Sequence, residues 1–221
     1  MDDHPAWSPG GTCIAFESDR RGDVDIFAID ADGTSERNLT ARPGNEMGAA
    51  WSPDGKTIAC SGTENRTRRV LLVVSAEGAA RIAVRYAGYF ESICWSPDGK
   101  HVAAVTDGGV LVLNPTEADG GHISEAMKAS KASVTAEPVK PHPTRWEPKL
   151  SWYSMGSASP RWVPRTFGGL AWSPDSSHLA FSSDMDDGYF YVYITSLEVG
   201  QPKRLDHTKS AWLQEISWCP K

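Results

Sequence analysis

The sequence predicts an all-β fold assembled from repeated four-stranded antiparallel sheets, and three observations carry this prediction. A tryptophan-led segment recurs without gaps at 6–16, 50–60, 94–104 and 171–181. The tryptophans of these segments are separated by 44, 44 and 77 residues, and a period near 44 is typical of a four-stranded propeller blade. Twenty glycines and fifteen prolines separate segments rich in β-branched and aromatic residues, as turns separate strands. Together these observations predict a β-propeller of about four blades.

Each unit reads as four strands joined by turns. In the first unit, strand A is PAWS (5–8), strand B is TCIAFES (12–18), strand C is VDIFAID (24–30) and strand D is SERNLT (35–40). The turn between strands A and B has a physical signature, because proline presets one central position, aspartate tolerates the next and glycine closes the turn. The residues that supply this turn in the second and third units are Pro53, Asp54, Gly55, Pro97, Asp98 and Gly99.

Strand C of the first unit is apolar on both faces. Val24, Ile26 and Ala28 lie on one face, whereas Phe27 and Ile29 lie on the other. A strand with two apolar faces belongs to a sheet that is covered on both sides. Stacked blades provide that cover, and a single blade could not bury its own faces.

The spacing of the tryptophans sets the expected blade boundaries. We assign blades to 5–48, 49–92, 93–127 and 169–215, an insertion to 128–168, and the start of a fifth blade to 216–221. The structural tryptophans of these units are Trp7, Trp51, Trp95, Trp172 and Trp218. Because a further strand A follows four complete units, we expect an open segment of a larger propeller; a closed four-bladed ring with a spare tail is the alternative. An open arc exposes apolar blade faces, which favours self-association.

The third unit carries the insertion. Residues 122–127, HISEAM, match strand D, so the insertion is expected between strand D and the next strand A. Its aromatic residues either pack against the scaffold or form a recognition lid over the channel. Those proposed for partner binding are Trp146, Trp152, Tyr153 and Trp162.

A second candidate surface precedes strand A of the third unit. Tyr86, Tyr89 and Phe90 occupy the connection RYAGYFES (85–92), which is expected near the channel mouth. Aromatic residues there suit protein or peptide anchors. Packing against the neighbouring blade is the alternative use of these rings.

Several classes of site lack their signature in the sequence. The formal net charge of -6 offers no basic footprint for nucleic acid, and no apolar run approaches the roughly 18 residues of a membrane span. No G-x-S-x-G elbow or C-x-x-C pair occurs, and His101 and His178 recur at a position typical of solvated strand residues. We therefore predict no catalytic residue, no metal site and no cofactor.

The repeat motif identifies a family. The segments WSPDGKTIA (51–59) and AFESDRRGDVDIFAIDADGTSERNLT (15–40) resemble the WD40-like (PD40) propeller repeats of TolB-type proteins. The first unit matches the family pattern nearly throughout, whereas later units keep the tryptophan turn and lose much of the rest. A TolB resemblance implies a periplasmic scaffold that contacts an envelope lipoprotein. That carry-over requires a leader and an α/β domain that this sequence does not show.

Three functions follow from the sequence and the resemblance. The first is a non-enzymatic propeller that binds protein or peptide through loops on one face. The second is the substrate-gating propeller of a prolyl-oligopeptidase-like serine peptidase whose catalytic domain lies outside this chain. The third, a carbohydrate-active propeller, would need clustered histidines that the sequence does not assemble. The compartment is expected to be periplasmic if the protein is TolB-like and its leader is missing, and cytoplasmic otherwise.

Overall fold

The computed structural model describes residues 1–64, 68–86, 89–106, 109–116, 152–154, 169–183, 190–197, 203–205 and 216. Within these ranges the chain forms sixteen strands and no helix. The strands make four antiparallel four-stranded sheets, and none of the four closes on itself. The predicted all-β architecture of four-stranded blades is confirmed. No helix in the described ranges is long and apolar enough to cross a membrane.

The strands follow one another in chain order. The first blade contains β1 (Asp2–Trp7), β2 (Cys13–Ser18), β3 (Asp25–Asp30) and β4 (Arg37–Asn38), and the second contains β5 (Met47–Trp51), β6 (Thr57–Glu64), β7 (Arg68–Ser75) and β8 (Ala80–Tyr86). The third contains β9 (Phe90–Trp95), β10 (Val102–Thr106), β11 (Gly109–Leu113) and β12 (Trp152–Ser154), and the fourth contains β13 (Leu170–Trp172), β14 (His178–Ser183), β15 (Tyr191–Ser196) and β16 (Lys203–Arg204). Each sheet is therefore a simple meander in which every strand pairs with its sequence neighbours.

The core lies between consecutive blades. Ile26 and Ala28 of the first blade pack in one buried cluster with Ile58 and Leu72 of the second. Two further clusters join the second blade to the third and the third to the fourth. Alternate residues of each central strand point to opposite faces, so β7 contributes Leu72 to the first interface and Leu71 to the next. The prediction that stacked blades cover both faces holds for the second and third blades.

The first strands of consecutive blades lie side by side. Contacts join β1 to β5, β5 to β9 and β9 to β13. The tryptophan indole groups reinforce two of these junctions: Trp51 Nε1 donates a hydrogen bond to the Ala6 carbonyl at 3.0 Å, and Trp95 Nε1 donates to the Ala50 carbonyl at 3.0 Å. The recurring tryptophan therefore links the second and third blades to the blade before each of them by a hydrogen bond.

The A–B turn is held by its own side chains. In the second blade, Ser52 Oγ donates to Asp54 Oδ1 at 2.7 Å and accepts from the Thr57 amide at 3.0 Å. The hydrogen bond from Ser52 holds the pKa of Asp54 below its usual value. Gly55 closes the turn at φ +68, a conformation that costs glycine little. In the third blade, Ser96, Asp98 and Gly99 repeat this arrangement.

The third blade differs from the expectation at its fourth strand. The predicted strand at 122–127 lies outside the described residues, and the strand that pairs with β11 is β12, within the range assigned to the insertion. The tryptophan and tyrosine of WYS favour a strand more strongly than the alanine and glutamate of HISEAM do. The extra residues of the third unit therefore lie between its third and fourth strands, β11 and β12, and not after the fourth strand as predicted.

Candidate partner-binding site

The candidate site lies at the end of the second blade opposite its A–B turn. Here β6 ends at Glu64, β7 begins at Arg68, and β8 ends at Tyr86. The registers Glu64↔Arg68 and Arg69↔Tyr86 bring these three strand ends together. Phe90 begins β9 on the next blade. We call this surface, formed by Glu64, Arg68, Arg69, Arg85, Tyr86, Tyr89 and Phe90, the blade-2 loop end.

The three aromatic residues predicted there have different roles. The rings of Tyr86 and Phe90 lie 5.7 Å apart at a tilt of 55° and pack against the buried cluster between the second and third blades. Tyr89 is 60% exposed. The guanidinium of Arg69 lies over its ring, 4.8 Å from the centroid. Tyr86 and Phe90 therefore anchor the connection, whereas Tyr89 presents its ring to solvent.

A charged group lies at the same strand ends, on the opposite face of the blade from Tyr86. Arg85 donates from Nε and Nη2 to the two carboxylate oxygens of Glu64, each at 2.8 Å. Arg68 Nη1 lies 3.8 Å from Glu64 Oε2. The hydrogen bonds from Arg85 are the main reason that the pKa of Glu64 is lowered, and the charges of Arg85, Arg68 and Arg42 act in the same direction. Two arginines of the blade-2 loop end, Arg85 and Arg68, therefore contact one carboxylate.

A buried carboxylate lies next to this surface. Glu46, in the connection between the first and second blades, is fully buried, and both of its oxygens lack a hydrogen bond of normal geometry among the described residues. Burial raises its pKa to about 7, although the charge of Arg42 opposes the rise. Gly62 makes room for it, because a Cβ there would lie 3.2 Å from Glu46 Cγ. This carboxyl group is too enclosed to contact a partner, and its effect is on stability.

The other predicted site residues fall in several places. Trp152 and Tyr153 belong to β12; Trp146, Trp162 and Trp218 lie outside the described residues. Trp172 packs in the cluster between the third and fourth blades, whereas Trp7 is 59% exposed. The structure thus brings together Tyr86, Tyr89 and Phe90, and does not describe how the aromatic residues of the insertion relate to them.

The histidines do not form a metal site in the described ranges. No group of three or more histidine, cysteine, aspartate or glutamate side chains in the described part of the chain could hold a metal ion. His101 is half-buried and stacks on Trp172, with the ring centroids 6.1 Å apart. This contact differs from the expected solvated strand position, because the fourth blade covers the ring.

Sequence reasoning missed the arginines and Glu64. A usable signal was present, since the segment ENRTRR (64–69) concentrates positive charge in a chain of net charge -6. In the repeat motif, the segment stands only as a departure from the family pattern. Its proximity to Tyr89 depends on the pairing of β7 with β8, which the spacing alone does not reveal.

Comparisons with known proteins agree with this architecture. A family model described as the TolB beta propeller domain, PD40, matches residues 1–134. Among solved structures, the chain is similar to TolB from Acinetobacter baumannii, with a TM-score of 0.59 and 15% identity over 93% of this chain and 43% of that one. It is similar to a TolB candidate from Agrobacterium tumefaciens, with a TM-score of 0.54 and 16% identity over 92% of this chain and 65% of that one.

A third similar structure is named as an enzyme. Oligogalacturonate lyase from Vibrio parahaemolyticus matches with a TM-score of 0.53 and 16% identity over 87% of this chain and 48% of that one. A search of curated proteins gave no match. The chain thus spans less than two thirds of each of these three structures. At such identities, these structural similarities show the fold alone.

Proposed function

The chain belongs to the TolB β-propeller domain family, PD40, and from this premise we propose that it is a non-enzymatic scaffold that binds a protein or peptide partner through the blade-2 loop end. The observation that carries the proposal is the exposed ring of Tyr89, which contacts the guanidinium of Arg69. The residues before and after it that are described, Tyr86 and Phe90, pack against the core. Tyrosine and arginine, together with tryptophan, are enriched at the energetic centres of protein interfaces.

The construction of the surface supports a binding role. Tyr86 and Phe90, which precede and follow Tyr89 in the sequence, both pack against the core, and this limits how far Tyr89 can move. A partner that contacts Tyr89 would therefore lose less entropy on binding than one that has to order a loose loop. The A–B turns at the other end of the blades hold their serine and aspartate side chains in local hydrogen bonds. Fewer of their polar groups are therefore available to a partner.

Site-specific photo-crosslinking tests the proposal. A photoreactive benzophenone amino acid is placed at Tyr89, and, as a matched control, at Glu77, an exposed turn residue at the opposite end of the same blade. In an extract of the source organism, position 89 is expected to give a discrete protein adduct that excess unmodified chain abolishes. Equal labelling from position 77, or no competed adduct at position 89, contradicts the proposal.

Other features of the whole protein stay predictions. A peptidase-gating role depends on a catalytic domain outside this chain, and a periplasmic location depends on a leader. Self-association through blade faces has one supporting observation, the exposure of Trp7 on the first blade. Light scattering over a range of concentrations checks self-association directly.

A further inference from the structure

We infer that the blade-2 loop end selects an acidic peptide segment, one whose aspartate or glutamate side chains lie beside an apolar or aromatic residue. This inference rests on the proposed function and specifies the chemistry of the partner. It is carried by the local charge of the surface, by the contact between Arg69 and Tyr89, and by the geometry of guanidinium groups.

The local charge is opposite to that of the chain. Arg68, Arg69 and Arg85 all lie at the strand ends, where Glu64 pairs with Arg85 and Arg68. The chain as a whole has a formal net charge of -6. At physiological ionic strength, charges more than about 8 Å apart are largely screened, so a short ligand on this surface experiences mainly the arginines. A long polyanion such as nucleic acid would also meet the acidic remainder of the molecule.

The contact between Arg69 and Tyr89 places a positive charge beside an exposed aromatic ring. Because the guanidinium lies 4.8 Å from the centre of the ring, a ligand that packs on Tyr89 also comes within reach of a positive charge. Arg68 is the first residue of β7, and its side chain is 52% exposed. Successive residues of a strand point to opposite faces, so Arg69 lies on the face of Tyr86, and Arg68 lies on the face of Glu64. A peptide carboxylate near Tyr89 therefore has Arg69 as its cationic neighbour, and a peptide that crosses the strand end also comes near Arg68.

The chemistry of arginine favours carboxylates. A planar guanidinium binds a carboxylate through two parallel hydrogen bonds, as Arg85 already does with Glu64. The same geometry is accessible to an incoming aspartate or glutamate, which would compete with Glu64 or extend its network. A basic peptide would instead be repelled by the arginine cluster.

Peptide selection with matched variants tests the inference. Phage-displayed random dodecapeptides are selected on the full 221-residue chain and on two double variants. R68Q/R69Q removes two charges from the blade-2 loop end. K56Q/K100Q removes two charges from exposed A–B turns at the other end of the second and third blades. Circular dichroism and thermal unfolding confirm that each variant retains the fold.

The expected result is enrichment of peptides with a net negative charge that contain an aromatic or aliphatic residue. Removing the charge beside Tyr89 and the charge across the strand end should weaken synthesised peptides at least about tenfold in R68Q/R69Q, a free-energy change of about 1.4 kcal/mol. Affinity for K56Q/K100Q should stay within about twofold of the wild type, a free-energy change of about 0.4 kcal/mol. Binding should also weaken as salt rises.

The contrary outcomes distinguish the acidic preference from the proposed binding function. Neutral or basic peptides that lose affinity in Tyr89→Ala but not in R68Q/R69Q would overturn the acidic preference and leave the binding surface in place. Acidic peptides that bind R68Q/R69Q as well as the wild type would also overturn the inference. Selection of no peptide on the wild-type chain would count against both the preference and the proposed binding function.

Discussion

The first and second blades have the same strand order and hold their fourth strands by different means. In the first blade, β4 has only two residues, and Asp25 secures the chain around it. Asp25 accepts hydrogen bonds from Asn38 Nδ2 at 2.8 Å and from Thr40 Oγ1 at 3.1 Å. In the second blade, β8 has seven residues and pairs along most of β7. Buried Val70 occupies the register position of Asp25 there.

This difference shows that a blade can exchange side-chain hydrogen bonds for backbone pairing. The second blade lost the aspartate of the motif without losing the sheet, because a longer β8 provides the missing connection to β7. Its polar residues are displaced to the strand ends, where Glu64 and Arg85 pair. Divergence from the repeat motif therefore coincides with the appearance of the candidate binding surface.

The largest expected effect compares the tryptophans of the two blades. Trp51→Ala should lower the free energy of unfolding by about 3 kcal/mol, since it removes a large packed side chain and a hydrogen bond to Ala6. Trp7→Ala should cost less than about 1 kcal/mol, because its ring is 59% exposed. Urea unfolding followed by circular dichroism measures both. Equal losses would show that the tryptophan stabilises its own blade and not the junction.

The next effect concerns the connections that lead into the second and third blades. Glu46 and Phe90 each stand five residues before a structural tryptophan, so a carboxylate occupies at one junction the place of a phenyl ring at the next. Burial raises the pKa of Glu46 from 4.5 to about 7. Between these values the folded chain binds more protons than the unfolded chain does. The contribution of Glu46 to stability therefore falls as pH rises through that range, and it is constant above it.

Glu46→Gln should remove this dependence. Relative to the wild type, the variant should gain up to about 3 kcal/mol of stability between pH 4.5 and pH 7.5. The readout is the difference between the two unfolding curves, since carboxylates with lowered pKa values, such as Asp54, contribute the opposite slope to both proteins. A difference that does not change with pH would show that Glu46 is not buried as an acid.

A third test addresses how the fourth strand of the first blade is held. Asp25→Asn preserves the size of a buried side chain but turns one of its acceptors towards Asn38 or Thr40 into a donor. The expected loss is about 2 kcal/mol, from weakened hydrogen bonds and an unsatisfied buried group. Hydrogen exchange should show faster opening at the Leu39 amide, which bonds to the Ile26 carbonyl. Unchanged exchange there would assign the stability of the segment to packing alone.

The smallest effect concerns the ion pair of the second blade. Glu64→Gln should lower the free energy of unfolding by about 1 kcal/mol, and by less at high salt, because the pair lies at strand ends that solvent partly reaches. This variant is the counterpart of Asp25→Asn in the comparison of the two blades. A loss as large as that of Asp25→Asn would mean that the Glu64–Arg85 pair holds the second blade together.

The sequence determined the repeating architecture. The tryptophan spacing, the turn residues and the two apolar faces of strand C each follow from local geometry, which a short segment specifies by itself. The strands predicted at 12–18 and 24–30 contain β2 and β3 as observed. The fold class and the family can therefore be predicted from the sequence.

Only the tertiary structure decided which side chains meet. The neighbourhood of Arg69 and Tyr89 depends on the register of β7 with β8, and the exposure of Trp7 compared with Trp51 depends on which blade lies beside each ring. The raised pKa of Glu46 depends on burial between two blades, to which distant segments contribute. Strand patterns record the two faces of a sheet, but they do not record what covers each face, because that partner comes from another part of the chain.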